Sequence, residues 1–252
     1  MRRFLTFLIF CLVTTLLSSC GPKGPAGTWS PLETGQPNTF LEELNFTTPE
    51  MGWAVGWDEK GPQETAGWEV LLTRDGGRTW GIWPKQVEQR IKLVHFVNDR
   101  VGWAINLDQD ILTTNDGGET WTVQRKAEKV KIKYNYNNPG APTELPDPLT
   151  RLRFISEKIG WAWGGGKKEA AFEQEGVFLR TENGGQQWQK VEYPFDDELK
   201  TLCFYDAYLG WASDRKAGLY KTIDGGKTWE KQRDDLRRPS INGIFFISDN
   251  KG

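Results

Sequence analysis

The sequence predicts an all-β fold, a β-propeller of four-stranded antiparallel blades. Three observations predict it. Two short phrases alternate down the chain; glycine turns separate runs of period-two hydrophobicity; and 252 residues contain 28 Gly and 13 Trp. So much glycine beside so much tryptophan fits many short strands joined by tight turns around a recurring aromatic element.

The first phrase is Phe followed six residues later by Gly-Trp-Ala. It reads FTTPEMGWA from Phe46, FVNDRVGWA from Phe96, FISEKIGWA from Phe154 and FYDAYLGWA from Phe204, and FISDNKG opens again at Phe246. The second is a glycine turn followed by Trp: TRDGGRTW (73–80), TNDGGETW (114–121), TENGGQQW (181–188) and TIDGGKTW (222–229). In the first unit, Leu41 to Phe46 alternates as a strand, Trp53 to Trp57 makes a second and Glu69 to Thr73 a third. The turn Asp75-Gly76-Gly77 then leads into a fourth from Thr79 to Trp83. Asp-Gly or Asn-Gly between β-prone runs is the strongest short-range hairpin signal. The turn tryptophan is expected to pack its ring against the adjacent sheet. Four strands in a unit of 40–50 residues describe a propeller blade, and period-two alternation excludes helical solenoids. The predicted blades are 40–84, 90–125, 150–193 and 199–232, with 241–252 opening a further one.

Residues 1–19 read as a lipoprotein signal peptide. Arg2 and Arg3 precede an apolar run from Phe4 to Leu17, too short for a spanning helix. The run ends in Leu17-Ser18-Ser19-Cys20-Gly21, which resembles the bacterial lipobox, so Cys20 is the expected site of lipidation. Residues 20–39 then hold the lipidated cysteine, a Pro- and Gly-rich tether, and a closing strand at 28–33, where Thr28-Trp29 resembles the fourth-strand openings. The expected location is an exported chain anchored by lipid to the extracytoplasmic or lumenal face of a membrane. Cys11 leaves with the signal, which leaves Cys203 as a buried apolar residue and no disulfide framework.

The glycine-turn phrase resembles the Asp-box of BNR-type repeats. Joined to Gly-Trp-Ala, it is most similar to the photosystem II assembly/stability factors and their bacterial relatives, over about 40–252. The resemblance implies a closed ring of seven blades, no enzymatic activity, a lipid anchor, and binding to protein partners such as photosystem II subunits or assembly intermediates. Against that pattern the chain reads as C-terminally truncated, with four complete blades and the first strand of a fifth.

Loop lengths single out one face. Turns between first and second strands and the Asp-box turns are short and uniform. The irregular segments are 58–67, 125–148, 164–176, 194–198 and 233–240, and added length on one face of a repeat protein marks the binding face. Arg125, Lys126, Lys129, Lys131 and Lys133, with Arg237 and Arg238, form a candidate basic patch for acidic peptide segments or anionic headgroups. A net charge of −2 gives no general field for nucleic acid, and none is expected as a partner.

Asp75, Gly77 and Trp80; Asp116, Gly118 and Trp121; Asn183, Gly185 and Trp188; and Asp224, Gly226 and Trp229 are read as structural turns. Asn in one copy suits a turn and not an acid catalyst, and motifs on separate blades cannot converge. His95, the one histidine, sits in a first strand with no nucleophile at a recognisable spacing. No catalytic, cofactor or metal site is expected. The alternative is a glycan-binding or sialidase-like glycoside-hydrolysing lipoprotein, with Trp57, Trp68 and Trp163 as stacking surfaces.

Overall fold

The computed structural model describes residues 39–58, 68–82, 90–134, 144–166, 172–233, 241 and 243–244. The chain divides into two compact units, 1–32 and 33–252, and the described residues belong to the second. Cys20, the closing strand expected at 28–33, Arg237, Arg238 and the Phe246 phrase lie outside the described residues.

Four antiparallel four-stranded sheets follow one another, each with its strands in chain order. They are propeller blades. The first holds β1 (Thr39–Phe46), β2 (Gly52–Asp58), β3 (Trp68–Thr73) and β4 (Gly81–Ile82). The second holds β5 (Ile91–Phe96), β6 (Gly102–Asn106), β7 (Ile111–Thr114) and β8 (Thr122–Arg125). Between it and the third run β9 (Lys129–Tyr134) and β10 (Glu144–Pro146). The third sheet holds β11 (Leu149–Phe154), β12 (Gly160–Gly164), β14 (Val177–Thr181) and β15 (Gln189–Val191); β13 (Phe172–Gln174) falls between β12 and β14 in the chain but belongs to another sheet. The fourth holds β16 (Leu199–Phe204), β17 (Gly210–Asp214), β18 (Leu219–Thr222) and β19 (Glu230–Arg233).

The fourth strand of the first unit starts later than expected. Thr79 belongs to the turn, because its N–H and its hydroxyl both donate to Asp75, at 2.9 and 2.6 Å. The pairing ladder resumes only at Gly81.

The Phe-to-Gly-Trp spacing has a physical reason. Phe46, Phe96, Phe154 and Phe204 each sit directly opposite the glycine of their own phrase. The ring lies flat over that glycine. A Cβ on Gly160 would stand 2.5 Å from the Phe154 ring, and one on Gly102 2.6 Å from Phe96. The other face of the ring takes the Gly-Trp-Ala indole of the preceding sheet. Trp53 stacks on Phe96 at 3.9 Å, Trp103 on Phe154 at 3.5 Å and Trp161 on Phe204 at 3.7 Å, all within 8° of parallel. Trp103 and Trp161 also donate Nε1–H to the carbonyls of Gly184 and Gly225 in the next sheet, at 3.0 and 3.1 Å. These indoles are almost wholly buried.

The turn tryptophans hold the ring edge. Trp80, Trp121, Trp188 and Trp229 meet the Phe of their own sheet nearly perpendicularly, at 5.8–6.0 Å. Trp229 also reaches Phe178 of the preceding sheet at 6.2 Å. The turn tryptophan is therefore only part of the contact between sheets, and the flat stack comes from the Gly-Trp-Ala phrase.

His95 adds a polar tie. Buried on β5, it donates Nε2–H to the carbonyl of Phe154 on β11 at 2.9 Å. Burial holds its pKa down at about 4, and the nearby Arg153 adds to this. A histidine kept neutral in the fold but titrating near 6.5 when unfolded removes stability as pH falls. The loss should begin below pH 6.5, end near pH 4 and amount to about 3 kcal/mol. Urea unfolding across this range checks it. His95→Gln keeps a donor without the titration and should flatten the slope.

Candidate functional site

Strand order places the β1–β2 type turns and the Asp-box turns at one end of each sheet, and all other connections at the opposite end. At the Asp-box end, Thr73 donates its hydroxyl to Asp75 Oδ1 at 2.9 Å and accepts the Gly77 N–H at 2.9 Å. Gly76 and Gly77 take φ of 73° and 85°, a region that favours glycine. The same bonds recur in two further turns: Thr120 donates to Asp116 and Gly118 N–H to Thr114, and Thr228 donates to Asp224 and Gly226 N–H to Thr222. Asn183 accepts the N–H of Gln187 at 2.9 Å, while Gly185 N–H reaches Thr181. Hydrogen bonds from Thr79 and Thr120 hold Asp75 and Asp116 at about 2. Burial opposes the same effect at Asp224, yet its threonine bonds still bring it to about 2. Carboxylates committed in this way to their own turns are not proton donors near neutrality.

A polar cleft of about 270 Å³ opens at this end between the second and third sheets, lined by Thr120, Thr122, Gln124, Glu157, Asn183 and Trp103 among others. Asn98 Nδ2 bridges it to Glu157 at 2.8 Å. Among the described residues no cluster of His, Cys, Asp or Glu has the makings of a metal site.

The opposite end departs from the repeat. Segments 125–148 and 164–176, expected to be irregular, build an additional three-stranded sheet in the order β10-β9-β13. Residues 129–133 read Lys-Val-Lys-Ile-Lys, which alternates as a half-buried strand. Val130 and Ile132 are buried, and Val130 joins the core with Leu93, Trp103, Leu149 and Val177. Lys129 and Lys131 face solvent, with Lys131 opposite Glu144. The backbone of Lys133 pairs with Glu173 of β13.

Arg125 and Lys126 do a different job. The Arg125 side chain is 11% exposed and lies 2.7 Å from the buried Asp147, a charge contact without hydrogen-bond alignment. Asp147 also accepts the N–H of Glu128 at 3.0 Å. Lys126 Nζ donates to Asp110 at 2.8 Å, and Ala127 N–H to the same carboxylate at 2.9 Å. Burial pushes the Asp110 carboxyl up, but these bonds bring it below the usual range. Both cations clamp the insertion to the blades, and Arg125 is withdrawn from the surface. Of the expected patch, Lys126, Lys129 and Lys131 are exposed, and the side chain of Lys133 lies outside the described residues. Trp163 is 3% exposed and offers no stacking surface, and the side chains of Trp57 and Trp68 lie outside the described residues.

No family model matches the sequence. A stretch of 62 residues is 34% identical to the photosystem II assembly lipoprotein Ycf48 of Picosynechococcus sp.. Over that stretch the chain is Ycf48-like. The match takes in 23% of this chain and only 18% of the relative's length. Among solved structures, Ycf48 from Cyanidioschyzon merolae aligns with a TM-score of 0.43 and 18% identity, over 85% of this chain and 77% of that one. Ycf48 bound to D1 peptide gives 0.42 and 18%, over 84% and 73%. An ancestral GH74 enzyme gives 0.49 and 16%, over 85% and 27%.

Proposed function

We propose that the chain is a non-enzymatic, exported propeller scaffold, tethered to a membrane through Cys20, that docks a protein client on the end bearing the three-stranded sheet. The single observation that carries this reading is that the two longest insertions pair with each other. They bury Val130 and Ile132 and turn Lys129 and Lys131 outward. A rigid strand pair presenting cations in fixed register suits an acidic, extended segment. The similarity to Ycf48 points to photosystem II subunits or assembly intermediates as clients, in a photosynthetic cell.

The test is recovery of proteins from detergent-solubilised membranes with the intact protein as bait. A client should co-purify at low salt and be lost as salt rises. The double variant Lys129→Glu, Lys131→Glu should weaken capture about tenfold or more, since like charges then face each other. Recovery of no client, or capture indifferent to the double variant, would count against this reading.

A further inference from the structure

The cleft between the second and third sheets exists because one position is small. Just before the Asp-box Thr, the four sheets carry Leu72, Thr113, Arg180 and Lys221 in turn. Leu72 packs into the core shared by the first and second sheets. Arg180, 4% exposed, fills the corresponding slot between the third and fourth. Its Nε–H donates to the carbonyl of Gly225 at 2.8 Å and its Nη1 to Glu182. Thr113 is too short to fill the slot between the second and third sheets, and about 270 Å³ stays open there. Gln124, where the third sheet has Val191, donates Nε2–H to the carbonyl of Gly184 at 2.9 Å. This replaces the hydrogen bond of Arg180 but not its volume.

The open slot also has a carboxylate where a cation would sit. Between the third and fourth sheets, a carbon added to Gly225 would stand 2.6 Å from the Ala207 carbonyl oxygen and 2.9 Å from Arg180 Nη2, so the guanidinium adjoins Ala207. One interface back, a carbon added to Gly184 would meet the carbonyl oxygen of Glu157 at 2.8 Å. The residue beside the guanidinium position thus changes from Ala207 to Glu157, while Glu182 on the other wall gives way to Asn115. Glu157 is the one ionisable side chain lining the cleft. It accepts from the neutral amide of Asn98 at 2.8 Å, and no cation pairs with it among the described residues. Asp116 is committed to Thr114 and Thr120, and the Arg100 Nε–H is tied to the carbonyl of Asn115 at 3.3 Å. Thr113, Thr120, Thr122 and Asn183 complete the lining with hydroxyl and amide oxygens.

We propose that this cleft is a socket for one arginine side chain carried on a partner polypeptide, with the guanidinium set against Glu157 and the stem between the second and third sheets. The partner's arginine takes the place that Arg180 takes at the neighbouring interface, where a side chain alone fills the slot. Five N–H donors in a planar fork can engage a carboxylate and the hydroxyl and amide oxygens around it together, which a compact ammonium does less well. The volume agrees, since it lies just below the ~300–1,000 Å³ of sites that take whole drug-sized ligands. The socket lies at the Asp-box end, opposite the three-stranded sheet. The inference goes beyond client docking on that sheet and does not depend on it.

The experiment titrates the intact chain, solubilised in detergent, with acetyl-arginine-amide. It follows the nuclear magnetic resonance of the Trp103 indole N–H, which lies in the wall of the cleft and is bonded to Gly184 at 3.0 Å. That resonance should move saturably. Acetyl-citrulline-amide, alike in shape but uncharged, should bind several-fold more weakly. Glu157→Gln should weaken the arginine probe about fivefold, as expected for losing one charge-assisted contact near the surface. Thr113→Arg with Gln124→Val installs the third sheet's pair of side chains, fills the cleft from within and should abolish binding. Glu157→Gln, on an exposed turn, keeps the test decisive if that double variant fails to fold. A resonance that does not move, equal binding of the two probes, or binding indifferent to Glu157→Gln overturns the proposal. So does a response to glucose with none to arginine, which would make the cleft a saccharide site. Tighter binding of free arginine than of the capped form also overturns it, because the ligand would then be a metabolite and not a polypeptide.

Discussion

Trp161→Ala should lower the unfolding free energy by about 4 kcal/mol, within the usual range for deleting a buried tryptophan. The indole is fully buried, lies flat on Phe204 and donates to the carbonyl of Gly225. Its removal opens a cavity between the third and fourth sheets and leaves that carbonyl without its indole donor, although Arg180 Nε still reaches it at 2.8 Å. Trp161→Phe keeps most of the stack and loses the hydrogen bond, so about 1 kcal/mol should be attributable to the bond itself. Urea titrations followed by far-ultraviolet circular dichroism separate the variants. A cost for the alanine variant no greater than an exposed substitution would contradict the stacking account.

Gly164→Ala should also be severe, at about 3 kcal/mol or more, because the clash is with backbone. A Cβ there would lie 1.6 Å from the carbonyl oxygen of Pro148. The position sits opposite the bulge at Leu149/Arg151, and every sheet carries a bulge at the same place. Its counterparts in the second and fourth sheets are Asn106 and Asp214, whose side chains accept N–H groups of the following turn. In the third sheet that turn is replaced by the insertion containing β13, and the chain of Pro148 closes in. Thermal unfolding should show the loss, and hydrogen exchange should show β9 and β13 deprotected first. Gly81→Ala, with nothing within 4 Å of its added carbon, is the control and should be nearly silent.

The blades were legible because their signals are local. A Phe faces its glycine across one hairpin, and Thr, Asp and Gly at fixed spacing close one turn. The three-stranded sheet was harder to see, because β9 and β13 come from different insertions and pair across a whole hairpin of the third blade. Its sign was nonetheless present: Lys-Val-Lys-Ile-Lys alternates as a strand does, and its charge drew attention away from its period. The role of Arg125 is hidden for a similar reason. Beside lysines it reads as a surface cation, and only the fold brings Asp147 to it. The offset of the stacking tryptophans was equally hidden, since no spacing within one repeat says that an indole belongs to the next repeat's ring.

That offset has an evolutionary consequence. Phe96, Phe154 and Phe204 are each clasped by the indole of the repeat before them, and the three stacks share one parallel geometry. Unequal recombination that deletes or duplicates one whole repeat therefore rejoins an indole to an equivalent ring, whereas losing one aromatic leaves its mate in the neighbouring repeat stranded. Lineages built this way should vary more readily in copy number than in the identity of these two residues, and compensating changes should pair across repeat boundaries.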